Sequence, residues 1–402
     1  MYHKIVLICL TAANILNLFL DRSGWSGGRT LIYLANGISI LAIAYYLLVK
    51  PLQFPKCYRP LKWFLALFII MLLVQFYWPN QYFLFNVYIK WLLSLLLLFF
   101  FFSYEQSKRS NRLIQLYIIT FIAECCLKIY QGSAFSTVSN LASNRIGGDT
   151  ASMGLALAVP LIFLFFRNKK GLVLYAICMV FCLFSLRRTS ILAMLIAVPF
   201  IWPILKQNVD KKYLALGFVI TLIFIFRAWE YVGAKVIRRF FEGHTSMQAM
   251  EFYGDDSYGS GRTVLWSFLY DKFREYENYL FGNGMGSVRE VCVSYYHLSL
   301  PHAHNDFIEI GYTFGVFGLF FWLGFIIKSS FVIFKRKIDT VHKKNFFCAI
   351  LIYLVVGATS GALIRAEMFP MAIAIPILLQ PLRNTESATV EKLTLWNLLN
   401  KR

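Results

Sequence analysis

Apolar runs long enough to cross a lipid bilayer recur from one end of this 402-residue chain to the other. A helix needs about 20 apolar residues to span the hydrocarbon core, where every backbone polar group must be satisfied within the protein. Apolar side chains make up 58% of the sequence and charged ones only 15%, too few charges for the surface of a soluble protein. The sequence therefore predicts an all-α polytopic membrane protein.

We count twelve candidate spans, and we interpret the first as a retained helix because no small-residue cleavage site follows it. They cover residues 5–20, 31–49, 61–78, 82–103, 113–130, 151–166, 171–186, 189–205, 213–228, 305–327, 345–364 and 367–382. Spans one to nine form a first part, residues 1–228, and spans ten to twelve form a second, residues 305–384. Residues 385–402 are left as a tail.

The formal net charge of +20 reflects membrane topology rather than nucleic-acid binding. Lysine and arginine gather in the short loops that follow the second, fourth, sixth, eighth and tenth spans, so all five loops fall on one side of the membrane. Cytoplasmic loops carry such an excess of positive charge. We therefore predict that both termini and the tail are cytoplasmic, and we expect membrane lipids but no nucleic acid as partners.

One long loop interrupts this regular pattern. Residues 229–304 lack a spanning run and fall on the outer side of the membrane. Within the loop, 262–277 has apolar residues at helical spacing and charged ones elsewhere on the helical wheel, which indicates an amphipathic helix. A long loop in a compact protein is usually functional or disordered, and the helix favours an ordered, functional one.

The predicted outer side carries arginines where few are expected. They are Arg145, Arg187, Arg188, Arg262 and Arg365. A guanidinium group stays charged and donates two parallel hydrogen bonds to phosphate oxygens. A pyrophosphate at the membrane surface would explain the whole group, whereas lipid headgroup contacts remain an equally good explanation for any single arginine.

The segment 301–306, Pro-His-Ala-His-Asn-Asp, lies where the loop meets the tenth span. Neutral histidine accepts a proton near pH 7, so His304 is a candidate general base, with His302 beside it and Asn305 or Asp306 orienting the ring. Zinc binding is less consistent with the sequence, because no further Cys/His pair lies nearby at ligand spacing. A hydrogen-bonded histidine at a helix N-terminus remains the structural alternative.

Four charged residues lie inside apolar spans, where an unpaired charge is costly. Glu124 and Lys128 are spaced i,i+4 and are expected to neutralise each other. Lys90 and Glu309 have no such partner, and our hypothesis is that they support the site from below.

Taken together, five features resemble the O-antigen ligase and polymerase superfamily of bacterial membrane glycosyltransferases. They are the twelve spans, the long outer loop late in the chain, Arg188 opening the eighth span, Ser260-Gly261-Arg262 with Trp266, and His304-Asn305 before the tenth span. The glycine-containing stretches 281–287 and 315–318 are also similar to that family. The resemblance covers most of the chain in architecture, and it is specific in sequence from about 185 to 320.

The resemblance implies a GT-C-type fold and an inverting enzyme without metal or cofactor, whose donor glycan is carried on undecaprenyl pyrophosphate. It assigns His304 as the base that deprotonates an acceptor sugar hydroxyl. The residues implied to bind pyrophosphate and substrate are Arg188, Arg262, Arg365 and Arg145, and the supporting ones are His302, Asn305, Asp306 and Arg187.

The acceptor distinguishes the two activities of the superfamily. A polymerase extends a lipid-linked repeat and a ligase joins the glycan to lipid A–core; the stretch 279–287 slightly favours a polymerase. Both place a multi-pass protein in the bacterial inner membrane with a periplasmic active site, and a chain-length regulator is a further candidate partner. The third alternative is a flippase or transporter, although such proteins place their charged residues near the bilayer midplane.

Overall fold

The computed structural model describes residues 1–23, 27–49, 59–77, 82, 84–139, 150–166, 169–185, 187–208, 262–275, 278–296, 302–335, 340–363 and 365–380. Over these ranges the chain forms thirteen α-helices and two short 3₁₀ turns, at Phe101–Ser103 and Ala366–Met368. The helices are α1 (Tyr2–Ser23), α2 (Gly27–Val49), α3 (Arg59–Tyr77), α4 (Phe85–Phe100), α5 (Lys108–Ser139), α6 (Ala151–Phe165), α7 (Lys169–Phe184), α8 (Arg188–Asn208), α9 (Arg262–Glu275), α10 (Ser287–Tyr296), α11 (Asp306–Lys335), α12 (Thr340–Ser360) and α13 (Phe369–Leu379).

The all-α prediction is confirmed over the described ranges. Eleven of the twelve predicted spans coincide with a helix, and the twelfth, 213–228, lies outside the described residues. Five helices are long and apolar enough to cross a membrane: Tyr2–Phe19, Thr30–Val49, Lys108–Tyr130, Asp306–Lys335 and Thr340–Ser360. Shorter apolar helices accompany them, so twelve spans remain a prediction. Much of the predicted loop 229–304 and the whole tail 385–402 also lie outside the described residues.

Two central helices organise the bundle. In α6 every residue from 151 to 164 is buried, and in α13 every residue is buried. Helices that are apolar all round belong in the interior, and the longer helices surround these two. Thr150, just before α6, donates a 2.7 Å hydrogen bond to Glu367 Oε1, just before α13. The two central helices therefore begin side by side, at one end of the bundle.

Helix α11 is interrupted at Gly315, where φ is 69° and ψ is −163°. The segment 279–284 forms four hydrogen bonds at this break, at 2.8 to 3.1 Å. The N–H groups of Asn283 and Gly284 donate to the carbonyls of Tyr312 and Thr313, respectively. In the other direction, the N–H groups of Val316 and Phe317 donate to the carbonyls of Tyr279 and Leu280. Irregular backbone within a membrane protein requires such internal partners. The approach is so close that a Cβ on Gly282 would lie 2.4 Å from the Thr313 carbonyl oxygen. The two glycine-containing stretches noted in the sequence thus bind each other.

A second, smaller apolar core joins helices α9 and α10 to the start of α11. Its buried members are Leu265, Leu269, Val288, Val291, Cys292, Ala303 and Tyr312. Helix α9 coincides with the predicted amphipathic segment, and its residues 265 and 269 are only 2% and 1% exposed. This core fixes α9 against the segment that contains the two histidines.

Candidate functional site

Two of the predicted site residues form a direct contact. His302 lies just before α11, and Arg365 lies between α12 and α13, with 2.5 Å between Arg365 Nη2 and His302 Nε2. Guanidinium nitrogens only donate hydrogen bonds, so His302 Nε2 must be the acceptor.

His304 packs against His302 in a strained backbone conformation. The two ring centroids are 4.4 Å apart, with 51° between the ring planes. His304 has a φ of 57°, and among the described residues it is the one non-glycine with a positive φ. Such a conformation costs on the order of 1–3 kcal/mol and persists only where the surroundings hold it. Strain of this kind clusters at functional sites.

The surroundings hold the histidine pair through Ala303, the residue between them. The Trp266 indole N–H donates to the Ala303 carbonyl at 2.8 Å, and the Ala303 N–H donates to Glu309 Oε2 at 2.6 Å. Ala303 itself is completely buried. Helix α9 and the first turn of α11 therefore fix both backbone polar groups of this residue. Glu309, for which the sequence suggested only a general supporting role, contacts the histidine segment directly.

Replacing Glu309 by leucine is expected to lower glycan transfer, the activity that the family resemblance implies, about 5- to 100-fold, because the buried Ala303 N–H would lose its acceptor at a cost of about 1–3 kcal/mol. Glutamine keeps a side-chain oxygen that can accept the same bond, so Glu309→Gln should stay within a few-fold of wild type. The separation of kcat from KM in a reconstituted transfer assay is the measurement. Equal losses in the two variants would argue against this positioning role.

Asn305 and Asp306 bind backbone N–H groups in the structure. Asn305 Oδ1 accepts from the N–H groups of Phe307 and Ile308 at 2.9 and 3.1 Å, which makes it the N-cap of α11. The Asp306 carboxylate accepts from the N–H groups of Ala362 and Leu363, at 2.9 and 3.1 Å to Oδ1. These bonds position the chain segments around the histidines, whereas the sequence interpretation had one of the two side chains orienting the imidazole.

Arg187 and Arg188 lie at the same end of the bundle. Helix α8 begins at Arg188, and the next residue, Thr189, has its Oγ1 within 3.1 and 3.2 Å of the hydroxyl oxygens of the last two residues of α12. The turn that carries Arg365 follows directly after α12. The N-terminus of α8 is therefore packed against the helix end that leads to Arg365.

The other two predicted arginines are described less completely. Arg145 lies outside the described residues, a short distance in sequence before Thr150, which bonds to Glu367. Arg262 opens α9, but its side chain lies outside the described part of the chain. Its predicted role in substrate binding therefore stays a prediction, supported by the contact of Trp266, one turn later, with the histidine segment.

Sequence reasoning missed Thr150 and Glu367, which join the start of α6 to the turn beside Arg365. A signal existed for Glu367, since it is a carboxylate two residues after an arginine in the short polar link between two apolar spans. No pattern connects Thr150 with it, because the two residues are 217 positions apart.

Within the described ranges, no three histidine, cysteine, aspartate or glutamate side chains come together as candidate metal ligands. Beside the histidine pair the structure instead places Arg365, which cannot ligate a metal cation. These described surroundings give no support to the zinc interpretation of the histidine motif.

Residues 172–323 match the family model Wzy_C, described as O-antigen ligase. No curated protein matches the chain. The matched range begins in α7 and ends in α11, and it includes Arg188, His302 and His304 but neither Arg145 nor Arg365. The resemblance to the O-antigen ligase and polymerase superfamily is thereby confirmed, and with the spanning helices it identifies a membrane protein carrying an O-antigen ligase domain. The match does not support a flippase or transporter.

Proposed function

We propose that this membrane protein with an O-antigen ligase domain is an inverting, metal-independent glycosyltransferase of GT-C type. It transfers a glycan from undecaprenyl pyrophosphate to an acceptor sugar at the periplasmic face of the bacterial inner membrane. The observation that carries the proposal is the contact of Arg365 with His302 beside the strained His304, all at one end of the helix bundle.

In the proposed reaction, His304 accepts the proton of an acceptor sugar hydroxyl. The resulting oxygen nucleophile attacks the anomeric carbon of the donor, and the bond from that carbon to the pyrophosphate oxygen breaks. Negative charge then develops on the leaving pyrophosphate, where fixed cations stabilise the transition state more than the ground state. Arg188, Arg262 and Arg365 supply these cations, with Arg145 completing the basic surface.

The packing supports a preorganised site. Trp266 and Glu309 hold Ala303, and Asp306 holds the segment that leads to Arg365, so the catalytic groups do not depend on a loose loop for their geometry. Fixed orientation of reacting groups supplies a large part of the rate acceleration of enzymes. A site assembled from α8, α9, α11 and the α12–α13 turn would close around a diphosphate at the membrane surface.

The function is tested by the lipopolysaccharide of a deletion strain, separated on a gel. We propose a polymerase in preference to a ligase, so we expect lipid A–core that carries a single repeat unit. Bare core together with accumulated long lipid-linked chains would instead identify a ligase. Unchanged lipopolysaccharide would contradict both activities on O-antigen. Expression of the wild-type chain in the same strain is the control, since it should restore the normal ladder.

A further inference from the structure

A second polar site lies inside the bundle, apart from the histidines. A cavity of about 230 Å³ opens between α1, α2, α4, α5 and the α12–α13 turn. Among its lining residues are Asn17, Asn36, Lys90, Glu124, Lys128 and Glu367. Ionisable residues within membrane-spanning segments are costly and usually serve a function. These polar side chains inside the bundle would be satisfied by a polar occupant.

Its charges are only partly compensated by the protein. Glu124 Oε1 accepts from Lys128 Nζ at 2.7 Å and from Asn17 Nδ2 at 2.8 Å, which neutralises that pair. Glu367 accepts a hydrogen bond from the Thr150 hydroxyl, and the positive charge of Arg365 stabilises the Glu367 carboxylate. Lys90 forms no ion pair with any residue that the structure describes. Lys90 is thus available to an anionic group of a ligand in this cavity.

The side-chain amide of Asn36 lines the same cavity. Asn36 is only 7% exposed and lines the cavity, and its amide forms no hydrogen bond to the part of the chain that the structure describes. A buried amide without a partner costs free energy, which a bound hydroxyl group or water would recover. A ligand that carries both hydroxyl groups and a negative charge would satisfy Asn36 and Lys90 together.

The cavity adjoins the candidate active site. The turn after α12 directs Arg365 toward His302 and, two residues later, Glu367 toward the cavity. The histidine pair and the cavity therefore lie on two sides of one short turn.

We propose that this cavity is a subsite for one acidic sugar ring of the glycan substrate. The sugar carboxylate pairs with Lys90, and its hydroxyl groups bond to Asn36 and to the carboxylates of Glu124 and Glu367. A single ring fits the volume, whereas an oligosaccharide does not. A diphosphate suits the cavity poorly, because Lys90 alone would leave most of the charge of a multiply charged group without a partner. This inference rests on the proposed function, whose substrate it specifies.

Binding of galacturonic acid to the full-length protein in phosphatidylcholine nanodiscs tests the subsite, with galactose as the neutral counterpart and inorganic pyrophosphate as the competing anion. We expect galacturonic acid to bind at least about 10-fold more tightly than galactose, as a charge-assisted bond requires. Lys90→Met should abolish this preference, and Asn36→Leu should weaken binding of both sugars. Lys328→Met, on an exposed position of α11, is the matched control and should change nothing.

Equal affinity for the two sugars, a Lys90→Met variant that still prefers galacturonic acid, or displacement of the sugar by pyrophosphate would each overturn the subsite. Should Lys90→Met fail to fold, Lys90→Gln, which also removes the positive charge, carries the same test. Binding is also measured in His304→Ala, which leaves the cavity intact. Undiminished glycan transfer in that variant would overturn the proposed function alone, whereas missing sugar selectivity with normal, His304-dependent transfer would overturn the subsite alone.

Discussion

Replacement of His304 by alanine is expected to reduce glycan transfer by about 10²–10⁴-fold, the usual contribution of a positioned general base. The acceptor hydroxyl would then have no group to take its proton as it attacks the anomeric carbon. The rate is measured with purified protein, a lipid-linked donor and an acceptor glycan. The matching experiment in cells is the lipopolysaccharide ladder of a deletion strain that expresses the variant.

The positive φ of His304 makes a second variant informative. Asparagine adopts this left-handed conformation more readily than most residues, and it lacks a group that accepts a proton near pH 7. His304→Asn should therefore keep the backbone geometry and lose transfer as completely as alanine does. His3→Ala, in α1 far from the α12–α13 turn in sequence, is the control and should retain activity. Wild-type transfer by the asparagine variant would refute the assignment of His304 as the base.

Replacement of Asp306 by leucine is expected to lower the free energy of unfolding by about 2–5 kcal/mol, because two buried N–H groups would each lose an acceptor. Asp306 is 2% exposed and binds the N–H groups of Ala362 and Leu363. The segment it holds leads directly to Arg365, so glycan transfer should fall together with stability. Thermal unfolding in detergent measures the first effect, and the transfer assay measures the second.

Two further variants separate this anchoring role from a general effect of lost charge. Asp306→Asn keeps one oxygen acceptor and should fall between wild type and leucine in both measurements. Asp271→Leu removes an exposed carboxylate on α9 and should leave the unfolding temperature within a degree or two, as surface substitutions usually do. A leucine variant at 306 with unchanged stability would contradict the structural role given to this carboxylate.

The helices were predictable because the membrane imposes a local rule. Each span has to satisfy its own backbone hydrogen bonds and present apolar side chains, so a run of residues reveals it without knowledge of its neighbours. The pair Glu124 and Lys128, predicted from its i,i+4 spacing, forms a 2.7 Å ion pair for the same reason. The order of the motifs around Arg188, Trp266 and His304 could also be recognised from the sequence alone, and it indicated the superfamily.

The connections between helices were not predictable, because their partners are far apart in the chain and follow no period. In the sequence Glu309 is a charge in an apolar span without a local partner, and the structure shows that it accepts a hydrogen bond from the Ala303 N–H. The sequence suggested Asp306 as a partner of an imidazole, and in the structure its carboxylate accepts hydrogen bonds from the backbone N–H groups of residues 362 and 363.

By itself, the sequence determined a helical membrane protein, the superfamily and a set of candidate site residues, since these depend on composition and local order. The tertiary structure alone decided that Arg365 meets His302, that the two glycine-containing stretches bind each other, and that Lys90 and Asn36 face one cavity. Each of these contacts joins distant segments, and its geometry arises only when the helices pack.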